Sequence, residues 1–164
     1  MIRLYHGSNM KIEVPDLVHS KPFKDFGSGF YLSPDKQQAW DMAFQKVNQT
    51  REGKAEVTEF LFDETLMLSE QLKVLNYPDY CEEWALFVLA NRDKKVTHPI
   101  HDYDIVIGPI ADDGVVLQLT NFREGIYTPE QAATLLQDRH LDQQYYFGTK
   151  QALCFLHKKL VETV

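Results

Sequence analysis

The run Lys24-Asp25-Phe26-Gly27-Ser28-Gly29-Phe30-Tyr31-Leu32-Ser33-Pro34 constrains this chain more than any other stretch. Its two closely spaced glycines permit a tight backbone turn, and the aromatic residues that follow favour a strand. Ser33 before Pro34 predicts a helix N-cap with proline at the first helical position. Turn, strand and helix start therefore crowd together, and an aromatic strand beside a glycine turn offers a surface on which a flat ligand can lie.

Around this run the periodicity predicts short strands separated by helices. Ile2 to Tyr5 reads as a first strand with His6-Gly7 at its end, where a glycine lets a ligand approach the backbone closely. Asn9 to Pro22 is irregular, broken by Pro15 and Pro22. Ala39, Met42, Ala43 and Val47 recur at helical spacing, with Trp40 and Phe44 beside them. Ala55 to Phe62 alternates as a strand, and Thr65 to Leu68 reads as a short continuation. Asp79-x-x-Glu82 predicts a capping box opening a helix with Cys81, Trp84, Ala85 and Val88 on one face, closed by Asn91-Arg92.

Tyr103 to Gly108 is an apolar strand, and Asp112 and Asp113 read as helix-starting acids before Val115, Val116 and Leu119. Thr128-Pro129-Glu130-Gln131 is another capping box, with Ala132, Leu135 and Leu136 turned inward. Gln144 to Phe147 is a late strand, in which Gln143 faces away from Gln144. Thr149 is expected to cap a last helix carrying Ala152, Leu153, Leu156 and Leu160 on one side. The expectation is one α+β domain over residues 1–164, a mixed fold of short strands with peripheral helices.

Composition narrows the function classes. The net charge of −7 argues against a general polyanion binder, although Arg3, Lys11, Lys21 and Lys24 could form a local basic patch. Cys81 and Cys154 sit among apolar residues and are expected to be buried free thiols. His98, His101 and Asp102, interrupted by Pro99, read as a loop and not as a ligand cluster, so no metal is expected. There is no basic-then-apolar leader and no apolar run of about 18 residues. A cytoplasmic protein without a membrane span is expected, or one secreted by a route that leaves no such signal.

Tyr5-His6-Gly7-Ser8 together with Phe26-Gly27-Ser28-Gly29-Phe30-Tyr31-Leu32 resembles the NAD-binding half of ADP-ribosyltransferases of the diphtheria-toxin and poly(ADP-ribose) polymerase type. The whole chain is similar to a bacterial domain-of-unknown-function family, the one numbered 3990. That likeness extends through Trp84-Ala85-Leu86-Phe87-Val88, Asn91-Arg92, Tyr103 to Asp113, and Gln144-Tyr145-Tyr146-Phe147-Gly148-Thr149 with Ala152-Leu153. The resemblance implies NAD as substrate and an ADP-ribosyltransferase-like fold. It implies that His6 contacts a ribose hydroxyl, that the Gly7 main chain pairs with the nicotinamide carboxamide, and that Ser8 and Gly29 line the site. Tyr31 would stack on the cationic nicotinamide ring. Trp40 either replaces a second aromatic wall, since Met42 stands at that spacing, or packs in the core.

Breaking the nicotinamide–ribose bond passes through an oxocarbenium-like state that nearby negative charge stabilises. The resembled enzymes commonly place a glutamate in a late strand for this task. This chain has Gln144, which can orient a ribose hydroxyl but carries no charge. Three readings follow. The first is an NAD-dependent mono-ADP-ribosyltransferase with catalytic His6, Tyr31 and Gln144, acting on a macromolecule, protein in preference to nucleic acid. It would be a bacterial toxin or defence component with an antitoxin as partner. The others are a catalytically inactive NAD or ADP-ribose-binding module and a protein-interaction module.

Overall fold

The computed structural model describes residues 1–137 and 142–164. Its order is β1 (Ile2–Ser8), β2 (Phe30–Leu32), α1 (Lys36–Thr50), β3 (Glu56–Phe62), a 3₁₀ turn (Glu64–Leu68), β4 (Val74–Asn76), α2 (Glu82–Arg92), β5 (Ile105–Pro109), α3 (Asp113–Arg123), α4 (Pro129–Gln137), β6 (Gln143–Phe147), α5 (Lys150–Leu153) and β7 (His157–Thr163). The fold is α+β. One sheet has the order β1-β3-β7 and the other β2-β6-β5-β4, with only the β4–β5 pair parallel among the described residues.

Strand alternation sorts the side chains into layers. Leu4, Phe60 and Phe62 from the first sheet meet Phe30, Leu32, Ile105, Ile107 and Phe147 from the second in one buried cluster. The opposite face of the second sheet carries Val106 and Tyr146, which pack under α2 and α3 through Trp84, Val88, Val115 and Leu119, with Phe26 inserted between. Each fully buried large side chain contributes about 1.5–3 kcal/mol, so these two layers dominate the stability. Helix α1 lies on the outer face of β1, where a Cβ on Gly7 would sit 1.9 Å from the Ala39 carbonyl oxygen. Glycine is therefore required there by the helix, whatever else approaches that backbone.

Several local expectations are corrected. The N-cap of α1 is Asp35, whose carboxylate accepts from Gln37 N; Ser33 instead accepts from Asp35 N, two residues earlier. Thr65 to Leu68 is not strand, because Asp63 caps it as a 3₁₀ turn. The cap of α2 is Cys81, whose sulfur accepts from Trp84 N, so the box from Asp79 does not form. Capping and short turns put both Cys81 and Cys154 at the surface, exposed and not buried. The helix capped by Thr149 ends at Leu153, and Leu160 lies in β7, where pairing with Glu59 outcompetes the helical spacing. Leu135 is exposed on α4 while Ala132 and Leu136 are buried. The reciprocal box between Thr128 and Gln131 does form. Among the described residues no helix is long and apolar enough to cross a membrane.

Candidate functional site

The two sheets touch through one bridge, where Tyr5 and Ser33 exchange main-chain hydrogen bonds of 2.8 Å in both directions. Continued antiparallel pairing would next join Gly7 to Tyr31, because hydrogen-bonded pairs recur every second residue. That pair does not form. The His6 ring donates from Nδ1 to the Tyr31 carbonyl at 2.7 Å, and Lys46 Nζ donates to the Gly7 carbonyl at 2.7 Å. Two side chains thus satisfy the carbonyls that the ladder would have paired, and they hold β1 and β2 apart. By the same alternation the N–H groups of Gly7 and Tyr31 point into this break.

The electrostatics of the break are unusual for an acidic chain. Desolvation and the nearby Lys46 charge push the His6 pKa down to about 3, against the pull of its bond to Tyr31. The ring is neutral at physiological pH with the proton on Nδ1, so Nε2 is a lone-pair acceptor. It is stacked on Phe30 at 4.4 Å and 17°, which fixes its plane. Lys46 is held down to about 8, by desolvation first and then by the charges of Lys24 and Lys21. Of the residues read as a local basic patch, Lys21 and Lys24 join this group. Arg3 pairs instead with Glu59 at 3.6 Å, and Lys11 with Glu13 at 2.6 Å.

Tyr31 and Gln144 lie on the other side of the second sheet from His6. The Tyr31 ring packs edge-on against Tyr146 at 5.4 Å. Its hydroxyl accepts from Phe26 N at 3.0 Å and donates to the Gly27 carbonyl at 2.7 Å. Burial pushes the phenol well above its ordinary range, so it stays protonated and keeps that donor. Gln144 is 9% exposed, and its Nε2 donates to Asp25 Oδ2 at 2.7 Å. The same Oδ2 accepts from Ala111 N at 2.9 Å, while Oδ1 accepts from Arg92 Nε at 2.7 Å. Arg92 also donates to the Ala111 carbonyl at 2.8 Å.

These contacts converge on the glycine run. His101 Nε2 donates to the Phe26 carbonyl at 2.8 Å, and the Tyr146 hydroxyl donates to the Ser28 carbonyl at 3.1 Å. A Cβ on Gly29 would stand 2.1 Å from the Tyr146 ring, so that residue admits the ring over the turn. The segment from Asp25 to Gly29 is held by side chains from β2, α2, β6 and the loop before β5. His6 and Tyr31 meet only through the Tyr31 main chain, whereas Tyr31 and Gln144 are joined through the turn.

The remaining candidates are peripheral to these contacts. Ser8 is buried and its hydroxyl accepts from Met10 N at 3.3 Å. Trp40 stacks on Phe44 at 5.8 Å along the surface of α1. Sequence reasoning missed Asp25 and Lys46, and placed Arg92 at the end of a helix without a link to Asp25. The only signal for Asp25 was its position at the start of the glycine run. An open hollow of about 410 Å³ over α4, lined by Tyr127, Glu130, Gln131, Thr134 and Leu135, contains none of the candidate residues.

Comparison with known families matches residues 2–157 to the family described as "Protein of unknown function (DUF3990)", and the chain belongs to that family. No curated protein matches the chain, and no solved structure does.

Proposed function

We propose that this protein binds NAD across the break between β1 and β2 and transfers its ADP-ribose unit to a macromolecular acceptor, protein in preference to nucleic acid. The observation that carries this reading is the break itself, with neutral His6 presenting Nε2 as an acceptor for a ribose hydroxyl. The Gly7 backbone beside it carries both an N–H and a carbonyl, the pair of groups a carboxamide needs. Tyr31 and Gln144, assigned to the same site in the sequence-based reading, lie on the other side of the second sheet, where their polar groups hold the glycine turn and Asp25. The net charge of −7 favours a protein acceptor, because a phosphate backbone calls for a broadly basic surface.

A second reading, binding without transfer, draws support from Gln144. Its amide is bonded to Asp25, and the Asp25 charge is in turn neutralised by Arg92 at 2.5 Å. Neither side chain then offers free negative charge to a developing cation.

The test is NAD titration with nicotinamide release followed in cell lysate, using wild type, His6→Ala and Gln144→Ala. Transfer predicts release that is lost with His6→Ala and a labelled lysate protein. Binding that depends on His6 without release would support the second reading. Absence of binding to the wild type would overturn both.

A further inference from the structure

Lys46 presents a problem that the fold does not resolve. Its side chain is half-buried, and its amine donates to a neutral carbonyl, that of Gly7 at 2.7 Å. Among the described residues no carboxylate lies within ion-pairing distance of Lys46, Lys21 or Lys24. The charges that act on Lys46 are those of Lys24 and Lys21, both positive. A half-buried cation is ordinarily paired, because its loss of hydration is only partly offset by a neutral carbonyl. In a chain with 24 acidic and 17 basic residues, lysines gathered without an ion pair are not a product of composition, and Asp25, the acid next to Lys24, is paired with Arg92. Lys24 is further placed by its neighbour Asp25, which is anchored to Arg92, Gln144 and Ala111 N.

We propose that Lys46, with Lys21 and Lys24, forms a binding site for a phosphoanhydride, and that the bound anion draws the Lys46 amine away from the Gly7 carbonyl. An ammonium has three donors, of which the Gly7 bond uses one, so phosphate oxygens can be engaged before that bond is given up. Transfer of the bond from a neutral acceptor to a charged one is favourable because charge-assisted hydrogen bonds are roughly twice as strong. The released carbonyl then becomes an acceptor for an amide N–H in the break. Phosphate recognition at the lysines and amide recognition at Gly7 are therefore coupled through one side chain. Only the identification of a dinucleotide as the source of the phosphoanhydride rests on the function proposed above; a free nucleotide or pyrophosphate has the same chemistry.

Isothermal titration of the full chain with pyrophosphate, ADP, NAD and nicotinamide tests this, using wild type, Lys46→Met and the surface double variant Lys21→Ala/Lys24→Ala. The expected result is saturable pyrophosphate and ADP binding by the wild type, weakened about tenfold or more by either variant. Nicotinamide alone should bind Lys46→Met more tightly than wild type, because the Gly7 carbonyl is uncovered. The double variant alters exposed positions and keeps the test valid if Lys46→Met fails to fold. Wild type that does not bind pyrophosphate, or anion affinity unchanged in the variants, would overturn the site. NAD binding indifferent to the lysines would remove the site and leave the NAD reading standing. Lysine-dependent pyrophosphate binding without NAD binding would do the reverse.

Discussion

Gln144→Glu is the perturbation on which the two roles of this position make opposite predictions. If Gln144 stood in for a catalytic glutamate, restoring the carboxylate would raise NAD turnover at little structural cost. In the structure its Nε2 donates to Asp25 Oδ2 at 2.7 Å, and both residues are buried. Glutamate removes that N–H and sets an oxygen where a donor was. Losing a hydrogen bond to a charged group costs about 1.5–3 kcal/mol, and leaving a buried carboxylate against another brings the total to about 2–5 kcal/mol at pH 8. For a domain of this size that is a fall in Tm of about 4–20 °C. The sign of the pH dependence follows from the new pair. The added carboxyl is held above its unfolded pKa, so it takes up a proton on folding, and the deficit shrinks as pH falls towards 5. Thermal unfolding of wild type, Gln144→Glu and Gln144→Met at pH 8 and pH 5 reads this directly. The methionine variant loses only the hydrogen bond and should show a deficit that hardly changes with pH. A glutamate variant as stable as wild type at pH 8, above all one with increased nicotinamide release, would refute the structural role.

Three other perturbations probe the break and the turn. Gly7→Ala forces a methyl group to within 1.9 Å of the Ala39 carbonyl, so α1 must shift; a loss of about 1–3 kcal/mol in urea unfolding is expected, and unchanged stability would mean α1 does not pack there. His6 is held at about 3 when folded against an ordinary value near 6.5, so its contribution is complete above pH 6.5 and is lost as pH falls towards 3, at up to about 1.4 kcal/mol per pH unit. Unfolding of His6→Asn across that range should have a shallower acid slope than wild type, and equal slopes would show that the ring is not held neutral. Tyr31→Phe leaves Phe26 N and the Gly27 carbonyl without their shared hydroxyl, so amide exchange at Phe26 should accelerate and stability fall by about 1–3 kcal/mol; protection equal to wild type would count against the phenol as the anchor of the turn.

The candidate site was visible in the sequence as residue types and poorly visible as roles. His6, Gly7 and Tyr31 stand at or beside the break between the sheets, but what Gly7 admits is the backbone of α1. Gln144 lies in the strand expected for it, yet its amide faces Asp25, a contact spanning 119 positions of chain. No local pattern specifies such a partner. Lys46 reads in sequence as one more polar position on an amphipathic helix, and becomes notable only when α1 is laid across β1.

What the sequence by itself determined is the local layer, with its bounds off by a few residues: strands over Ile2 to Tyr5, Ala55 to Phe62, Tyr103 to Gly108 and Gln144 to Phe147, helices after Pro34 and after Asp79, and the capping box at Thr128. These follow from periodicity and capping, which involve residues a few positions apart. Tertiary structure alone decided that Leu160 joins a strand and that β1 and β2 part after one bridge. It also decided that Asp25 draws Arg92 and Gln144 to itself. Each of those outcomes is a competition between a local preference and a partner supplied by a distant segment. The distant partner wins because burial makes an unsatisfied polar group cost more than a local propensity contributes.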